Sequence, residues 1–186
     1  MTARGVDPRV ARTRAAVLHK TLELLATAGP SAISLSNVAA EAGVSRQTIY
    51  THWGTPTQLI AEAILEGFEG GYPDAAPTVT DTLRGWLTSL RDANTDPARA
   101  VAIVTLAAHA FHDRTSAVAL QHIVIDRHAA LNVLLAPFGV EISIEMLAVL
   151  NGPVIFSLFF LRQPVSDQLI DRIVSQTEPL LTRNTR

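Results

Sequence analysis

The chain has no cysteine among its 186 residues. That excludes a disulfide framework, a cysteine nucleophile and a zinc–thiolate site. Aromatic residues make up only 5% while hydrophobic residues make up 48%, a balance that suits an alanine- and leucine-rich helical protein. There is no Gly-rich phosphate loop, no G-x-S-x-G elbow and no H-E-x-x-H pair. No enzymatic reaction, cofactor or metal is therefore expected. The opening "MTARGVDPRVARTR" is polar and basic with no apolar stretch behind it. It does not read as a signal peptide, and a cytoplasmic protein is expected. Internal repeats and low-complexity tracts are also missing. What remains is a length sufficient for one sizeable core or two small ones.

Net charge is −2, but it is unevenly spread. Residues 1–52 hold six basic side chains (Arg4, Arg9, Arg12, Arg14, Lys20 and Arg46) against three acids (Asp7, Glu23 and Glu41), giving +3. The rest carries −5. A basic head on an acidic body suggests that only the head meets a polyanion, although such an arm also occurs as a solvated tail.

Helical spacing dominates the chain. Asp7-Pro8 reads as an N-cap with proline in the first turn, and Val17, Leu18, Leu22 and Leu25 then recur on one stripe until Gly29-Pro30. Ser34 can cap a second helix whose apolar stripe is Leu35, Val38, Ala39 and Ala42, with Ile33 and Val38 as a hydrophobic staple. Gly43 suits the left-handed residue that closes it. Ser45 can cap a third helix, with Val44 and Ile49 as its staple, and Thr55-Pro56-Thr57-Gln58 forms a capping box for a fourth. After a Gly70-Gly71-Tyr72-Pro73 break, further helices are predicted over 80–92, 97–112, 116–135, 143–161 and 166–182. An all-α fold of about nine helices results, with the first three forming a small head.

Within the head, two short helices separated by Ala-Gly-Val-Ser fit a helix-turn-helix. Small Ala39 and Ala42 allow close approach, and Val44, Ile49 and Trp53 face inward. Arg46, Gln47, Thr48 and Thr51 are left facing outward. Arginine and glutamine can each make bidentate bonds to base edges in the major groove, and threonine can bond a base or meet a thymine methyl. Tyr50 and His52 are better placed for phosphates. Double-stranded DNA is the partner these residue types fit. A surface helix pair with ordinary polar residues is the plain alternative.

The stretch "SLSNVAAEAGVSRQTIYTHWGTPTQLIAEAI" resembles the DNA-binding signature of the TetR family of bacterial transcriptional repressors. The shared pattern is Ala-Gly-Val-Ser, an apolar-Tyr-x-His-aromatic run and a leucine opening the next helix, over about the first 65 residues. The resemblance implies a DNA-binding site of Ser34, Ser45, Arg46, Gln47, Thr48, Tyr50, Thr51 and His52. Ser34, Tyr50 and His52 would meet phosphates, and Arg46, Gln47, Thr48 and Thr51 would lie in the major groove. It also implies a homodimer on a near-palindromic operator, repression, and release by a small molecule. Two positions depart from the family. Trp53 stands where phenylalanine is usual, and Pro56 stands where a phosphate-binding lysine is usual. Arg4, Arg9, Arg12 and Arg14 lie near the start of the first helix and can compensate by reaching the backbone or the minor groove.

The resemblance sets domains at 1–53 for the helix-turn-helix and 54–186 for ligand binding and dimerisation. The uncharged run Met146–Leu161 is apolar all round, which means burial on more than one side or a membrane span. It is short for a span, Glu145 abuts it, and Asn151-Gly152-Pro153 is expected to interrupt it, so no membrane is expected. "GPVIFSLFFLRQPVSDQLIDRIV" more loosely resembles the C-terminal end of a TetR-type regulatory domain, whose last two helices dimerise. Val154, Leu158, Phe159, Leu161, Ile170, Ile173, Val174 and Leu181 are the interface residues this implies. For a hydrophobic or amphiphilic effector the candidates are Phe68, Trp86, His109, Phe111, His122 and Phe138. "HAFHD" places His109 and His112 three apart beside Asp113. Two such histidines can share a metal, but no third ligand is fixed, and exposed histidines at a helix end are expected. A protein-interaction module would explain the apolar C-terminal face but not the outward Arg-Gln-Thr set.

Overall fold

The computed structural model describes residues 8–69 and 72–181, with no strand among them. Arg4, the Asp7 cap, the Gly70-Gly71 break and the side chain of Phe68 lie outside the described residues. The α-helices are α1 (Pro8–Ala28), α2 (Leu35–Glu41), α3 (Arg46–His52), α4 (Pro56–Glu69), α5 (Val79–Thr95), α6 (Pro97–His109), α7 (Arg114–Leu135), α8 (Ile144–Phe159) and α9 (Asp167–Leu181). They make two compact units. The first holds α1–α4, α6 and the start of α7. The second holds α5, the rest of α7, α8 and α9.

In the first unit, α1 packs against α2, α4 and α6, and α4 packs against α6. The unit that carries the three-helix head is thus built from five helices and more. The predicted stripes supply its interior: Val17, Leu18 and Leu25 of α1, Leu35, Val38 and Ala39 of α2, Ile49 of α3, and Leu59, Ile60, Ala63 and Ile64 of α4 are buried. Asp113 accepts the backbone N–H (2.7 Å) and hydroxyl (2.6 Å) of Ser116. This cap starts α7 two residues before the predicted Ser116. The Ser116 hydroxyl and N–H hold the Asp113 carboxyl below its ordinary range. The cap is therefore complete at neutral pH and fades as pH falls through that lowered value.

The second unit is centred on Leu83, Trp86, Leu87 and Leu90 of α5, closed by Leu131 and Leu135 of α7 and by apolar residues of α8 and α9. Tyr72 stacks on Trp86 at 5.6 Å between ring centroids, and the Arg127 guanidinium lies 4.8 Å from the Trp86 centroid. Burial lowers the Arg127 pKa. It also raises that of Tyr72, assisted by the bond its hydroxyl donates to Asp126. The indole N–H of Trp86 donates to Asn151 Oδ1 at 3.0 Å. Along α5, Thr80, Arg84 and Arg91 reach Glu178, Asp171 and Asp167 of α9 at 2.6–2.8 Å.

Contrary to the predicted interruption, α8 runs through Pro153. A mid-helix proline costs one i→i−4 bond and crowds a carbonyl. Here the flanking Leu150 and Val154 are buried in the core, so packing holds the turn. No helix among the described residues is long and apolar enough to cross a membrane.

Replacing Asn151 with alanine leaves the enclosed Trp86 N–H without its acceptor. A loss of about 1–3 kcal/mol is expected, read as a lower denaturant midpoint at unchanged slope.

Candidate nucleic-acid interface

The interface is built from two short helices and a tight reversal. Ser34 caps α2 by accepting the Asn37 N–H at 3.1 Å, and the Asn37 amide donates to Ala32 O at 2.8 Å. At the other end, Gly43 adopts φ 67°. Its N–H donates to Ala40 O and that of Val44 donates to Ala39 O, the paired bonds of a Schellman closure. A Cβ at Gly43 would meet no neighbour within 4 Å, so the demand for glycine there is set by the left-handed backbone and not by space. Ser45 then caps α3, accepting the Thr48 N–H at 3.0 Å, with the two hydroxyls 2.8 Å apart.

Four faces of α3 follow from about 100° per residue. Ile49 and Trp53, at 0% and 1% exposure, form the buried face. Gln47 and Thr51 lie together on the opposite side, both exposed, and the Thr51 hydroxyl donates to Gln47 O at 2.7 Å. Arg46 and Tyr50 share one flank, and Thr48 and His52 share the other. Tyr50 is 56% exposed, with its hydroxyl 3.4 Å from Ser36 Oγ of α2. Thr48 is half-buried and faces α1 across a cleft of about 240 Å³. The outward set predicted from sequence is thereby divided, with Thr48 turned toward α1 and Gln47, Thr51 and Arg46 left at the surface.

Sequence reasoning missed what fixes α3 in place. The indole N–H of Trp53 donates to Glu62 Oε2 of α4 at 2.9 Å. The same carboxylate accepts from the Gln58 amide at 3.2 Å and from Arg14 of α1 at 3.1 Å. Arg14 also reaches Glu66 at 2.9 Å. Its guanidinium is thus engaged by two carboxylates of α4. Gln58 completes the capping of α4, taking the Gly54 N–H at 3.1 Å while Thr55 accepts the Gln58 N–H. Gln58, Glu62 and Glu66 sit at i, i+4, i+8, a spacing visible in the sequence. Their partner Arg14, 48 residues from Glu62, is not.

The remaining candidates are placed as follows. His109 ends α6 and is exposed, like His122 on α7. Phe111 is 85% exposed. Trp86 is fully enclosed, and Phe138 is half-buried against the same core. No group of three or more acidic or histidine side chains among the described residues could hold a metal ion. Of the residues expected at a subunit interface, Val154, Ile170, Ile173, Val174 and Leu181 are at most 5% exposed, because the stripe they form faces this protomer's own core. Leu158 and Phe159 are half-buried and Leu161 is exposed. Large apolar groups left at the surface of α8 and beyond include Val149, Phe156, Phe160 and Leu161. Phe156 and Phe160 stack at 5.4 Å.

Comparison with known proteins bears on the same segment. Residues 17–63 match the sequence family described as bacterial regulatory proteins, tetR family. The uncharacterized HTH-type transcriptional regulator Rv1556 of Mycobacterium tuberculosis is 28% identical, across 91% of this chain and 88% of that one. The fold is similar to that of the TetR family transcription regulator SCO0332, with a TM-score of 0.68 at 24% identity, covering 92% of this chain and 97% of that one. It is also similar to the multidrug binding protein EbrR solved with imidazole, with a TM-score of 0.64 at 18% identity, covering 95% and 97%.

Substituting Glu62 by alanine strands the enclosed Trp53 N–H and leaves Arg14 with Glu66 as its carboxylate on α4. About 1–3 kcal/mol of stability should be lost, seen as a lower melting temperature with Trp53 fluorescence shifted to the red. The helix-turn-helix segment thus carries the match to the tetR family, and the chain is similar over most of its length to an HTH-type transcriptional regulator.

Proposed function

We propose that the protein is a repressor that binds a near-palindromic DNA operator as a homodimer and is released by a small molecule bound in the C-terminal domain, residues 54–186. The observation that carries the DNA part is the exposed face of α3. Gln47 and Thr51 project opposite Ile49, Arg46 flanks them, and capping and burial hold the helix rigid beneath them. A guanidinium, an amide and a hydroxyl in one patch match the donor and acceptor code of the major groove. Tyr50, Ser34 and Ser45 lie at helix starts or on the flank, where phosphates run. The described part of the chain performs this role by occupancy, with no reaction.

Dimerisation supplies the second recognition helix, since dimers read two half-sites about one helical turn apart. The support for it is the uncovered apolar face of α8, where Phe156 and Phe160 are 53% and 73% exposed. A patch of that kind on a helix already packed on its other side favours a second copy of the chain. The functional division into a DNA-binding domain at 1–53 and a ligand-binding and dimerisation domain at 54–186 belongs to the same proposal. So does a cytoplasmic location. The effector is hydrophobic or amphiphilic, a reading supported by the apolar second unit and by the likeness to a multidrug binding protein. It acts only by its differential affinity for two arrangements of the protein.

Gln47→Ala tests the base-reading face. Preference at one position of each half-site should relax, at about 1–3 kcal/mol per bidentate contact. An equal loss on every duplex would show that Gln47 reads no base. Phe156→Glu with Phe160→Glu tests the interface: sedimentation should give folded monomers with greatly weakened operator binding, and intact dimers would place the interface elsewhere.

A further inference from the structure

The outer face of α8 has an order that exposed apolar surface alone does not require. At about 100° per residue, Glu145, Val149, Gly152, Phe156 and Phe160 fall within a sector of about 80°. Gly152 is half-buried and the other four are exposed, while Leu147, Leu150, Val154 and Ser157 face the core. The spacing reads the same in both directions. Val149 lies three residues before Gly152, and Phe156 lies three after Pro153. Glu145 lies seven before Gly152, and Phe160 lies seven after Pro153. At the middle, a Cβ added to Gly152 would meet no neighbour within 4 Å. No charge stands between Glu145 at the start of α8 and Arg162 beyond its end. Arg162 is exposed and holds a left-handed backbone, φ 55°, a conformation that glycine would adopt with less strain. The guanidinium is what sets this position apart.

We infer that α8 pairs antiparallel with α8 of a second copy about a two-fold axis at Gly152-Pro153, and that Glu145 of each protomer pairs with the partner's Arg162. The inference rests on the dimer reading above and deepens it by naming the register and the residues that choose the partner. A two-fold interface is self-complementary: if one residue meets a second, the second meets the first. An axis at Gly152-Pro153 sets Val149 opposite the partner's Phe156, and Phe160 opposite the turn that carries the partner's Glu145. Glycine at the crossing leaves room for two backbones to come near. The stacked rings of Phe156 and Phe160 then close over either side of it.

Charge decides the direction. In the antiparallel pair, an acid at each helix start meets a base past each helix end, and the two helix dipoles are opposed. A parallel pair would set Glu145 against its own copy and Arg162 against its own. Ion pairs at the rim of an interface act more on the choice of partner than on raw affinity, because like charges set opposite each other are costly. Glu145 and Arg162 therefore select another copy of this chain over chains with a similar apolar face and other charges.

The test uses the full chain in sedimentation velocity, with native mass spectrometry to weigh the species. Glu145→Arg alone and Arg162→Glu alone each set like charges opposite, and each should dimerise at least about tenfold more weakly than wild type. Mixed one to one, the two variants should form a heterodimer as readily as wild type forms its homodimer, since both pairs are then opposite in sign. The chain carrying both substitutions should return to a homodimer. Single variants that dimerise like wild type, or a mixture no tighter than its parts, would overturn the inference. Cross-linking reads the register without altering charge. The chain has no cysteine, so Pro153→Cys, beside the axis, should oxidise to a covalent dimer. Val149→Cys should not, because its copy lies about 10 Å away along the helix, beyond the roughly 7 Å between Cα atoms that a disulfide spans. It should instead link to Phe156→Cys in a mixture. Val149→Cys linking to itself while Pro153→Cys stays free would overturn the register. Wild type that stays monomeric would overturn the dimer reading as well, a result distinct from a wild-type dimer indifferent to the charge swaps.

Discussion

One carboxylate organises the head. Glu62 accepts the indole N–H of Trp53, the amide of Gln58 and the guanidinium of Arg14, and so ties the end of α3 to both α4 and α1. The three bonds differ in weight. Arg14 is 43% exposed, and exposed ion pairs contribute about 0–1 kcal/mol. The indole group is enclosed, and stranding an enclosed donor costs about 1–3 kcal/mol. The Trp53 bond therefore dominates and Arg14 mainly orients the acceptor. It also explains how tryptophan stands where the family that this segment resembles usually has phenylalanine: the larger ring brings a polar atom inward, and Glu62 meets it. A helix of seven residues such as α3 is too short to hold itself, so its posture depends on this node and on the burial of Ile49.

Local signals carried most of the fold. Serine caps, a glycine reversal and apolar stripes at helical spacing are written within a few residues of each other, which is why α2, α3 and their turn follow the sequence closely. The shifts occur where a competing group intervened. Asp113 captured the start of α7, and core packing around Leu150 and Val154 kept α8 continuous through Pro153. The Glu62 node escaped notice for a different reason. Arg14 and Glu62 are 48 residues apart in the chain, and no periodicity reports which of several carboxylates an arginine will meet.

The interface residues of the C-terminal helices show the same limit. An amphipathic stripe tells that a face is buried without telling in what. Ile170, Ile173 and Val174 look like a dimer seam, yet that stripe first completes the core with Leu83, Trp86 and Leu131. Surplus apolar surface includes the side of α8 bearing Phe156 and Phe160, which the all-round hydrophobicity of the run had hidden. In the head, by contrast, polar residues on a helix with a single buried face could be sorted by angle. Gln47 and Thr51 lie opposite the core, with Tyr50 and Thr48 on either flank, and these three directions match the floor and two walls of a groove.

The central claim is that this arrangement reads sequence through two copies of α3. The most direct test is selection of bound fragments from a random pool of DNA duplexes at near-physiological salt. The account predicts enrichment of one near-palindrome with half-sites about one helical turn apart. Recovery of unenriched sequences, bound only through a salt-sensitive general attraction, would contradict it.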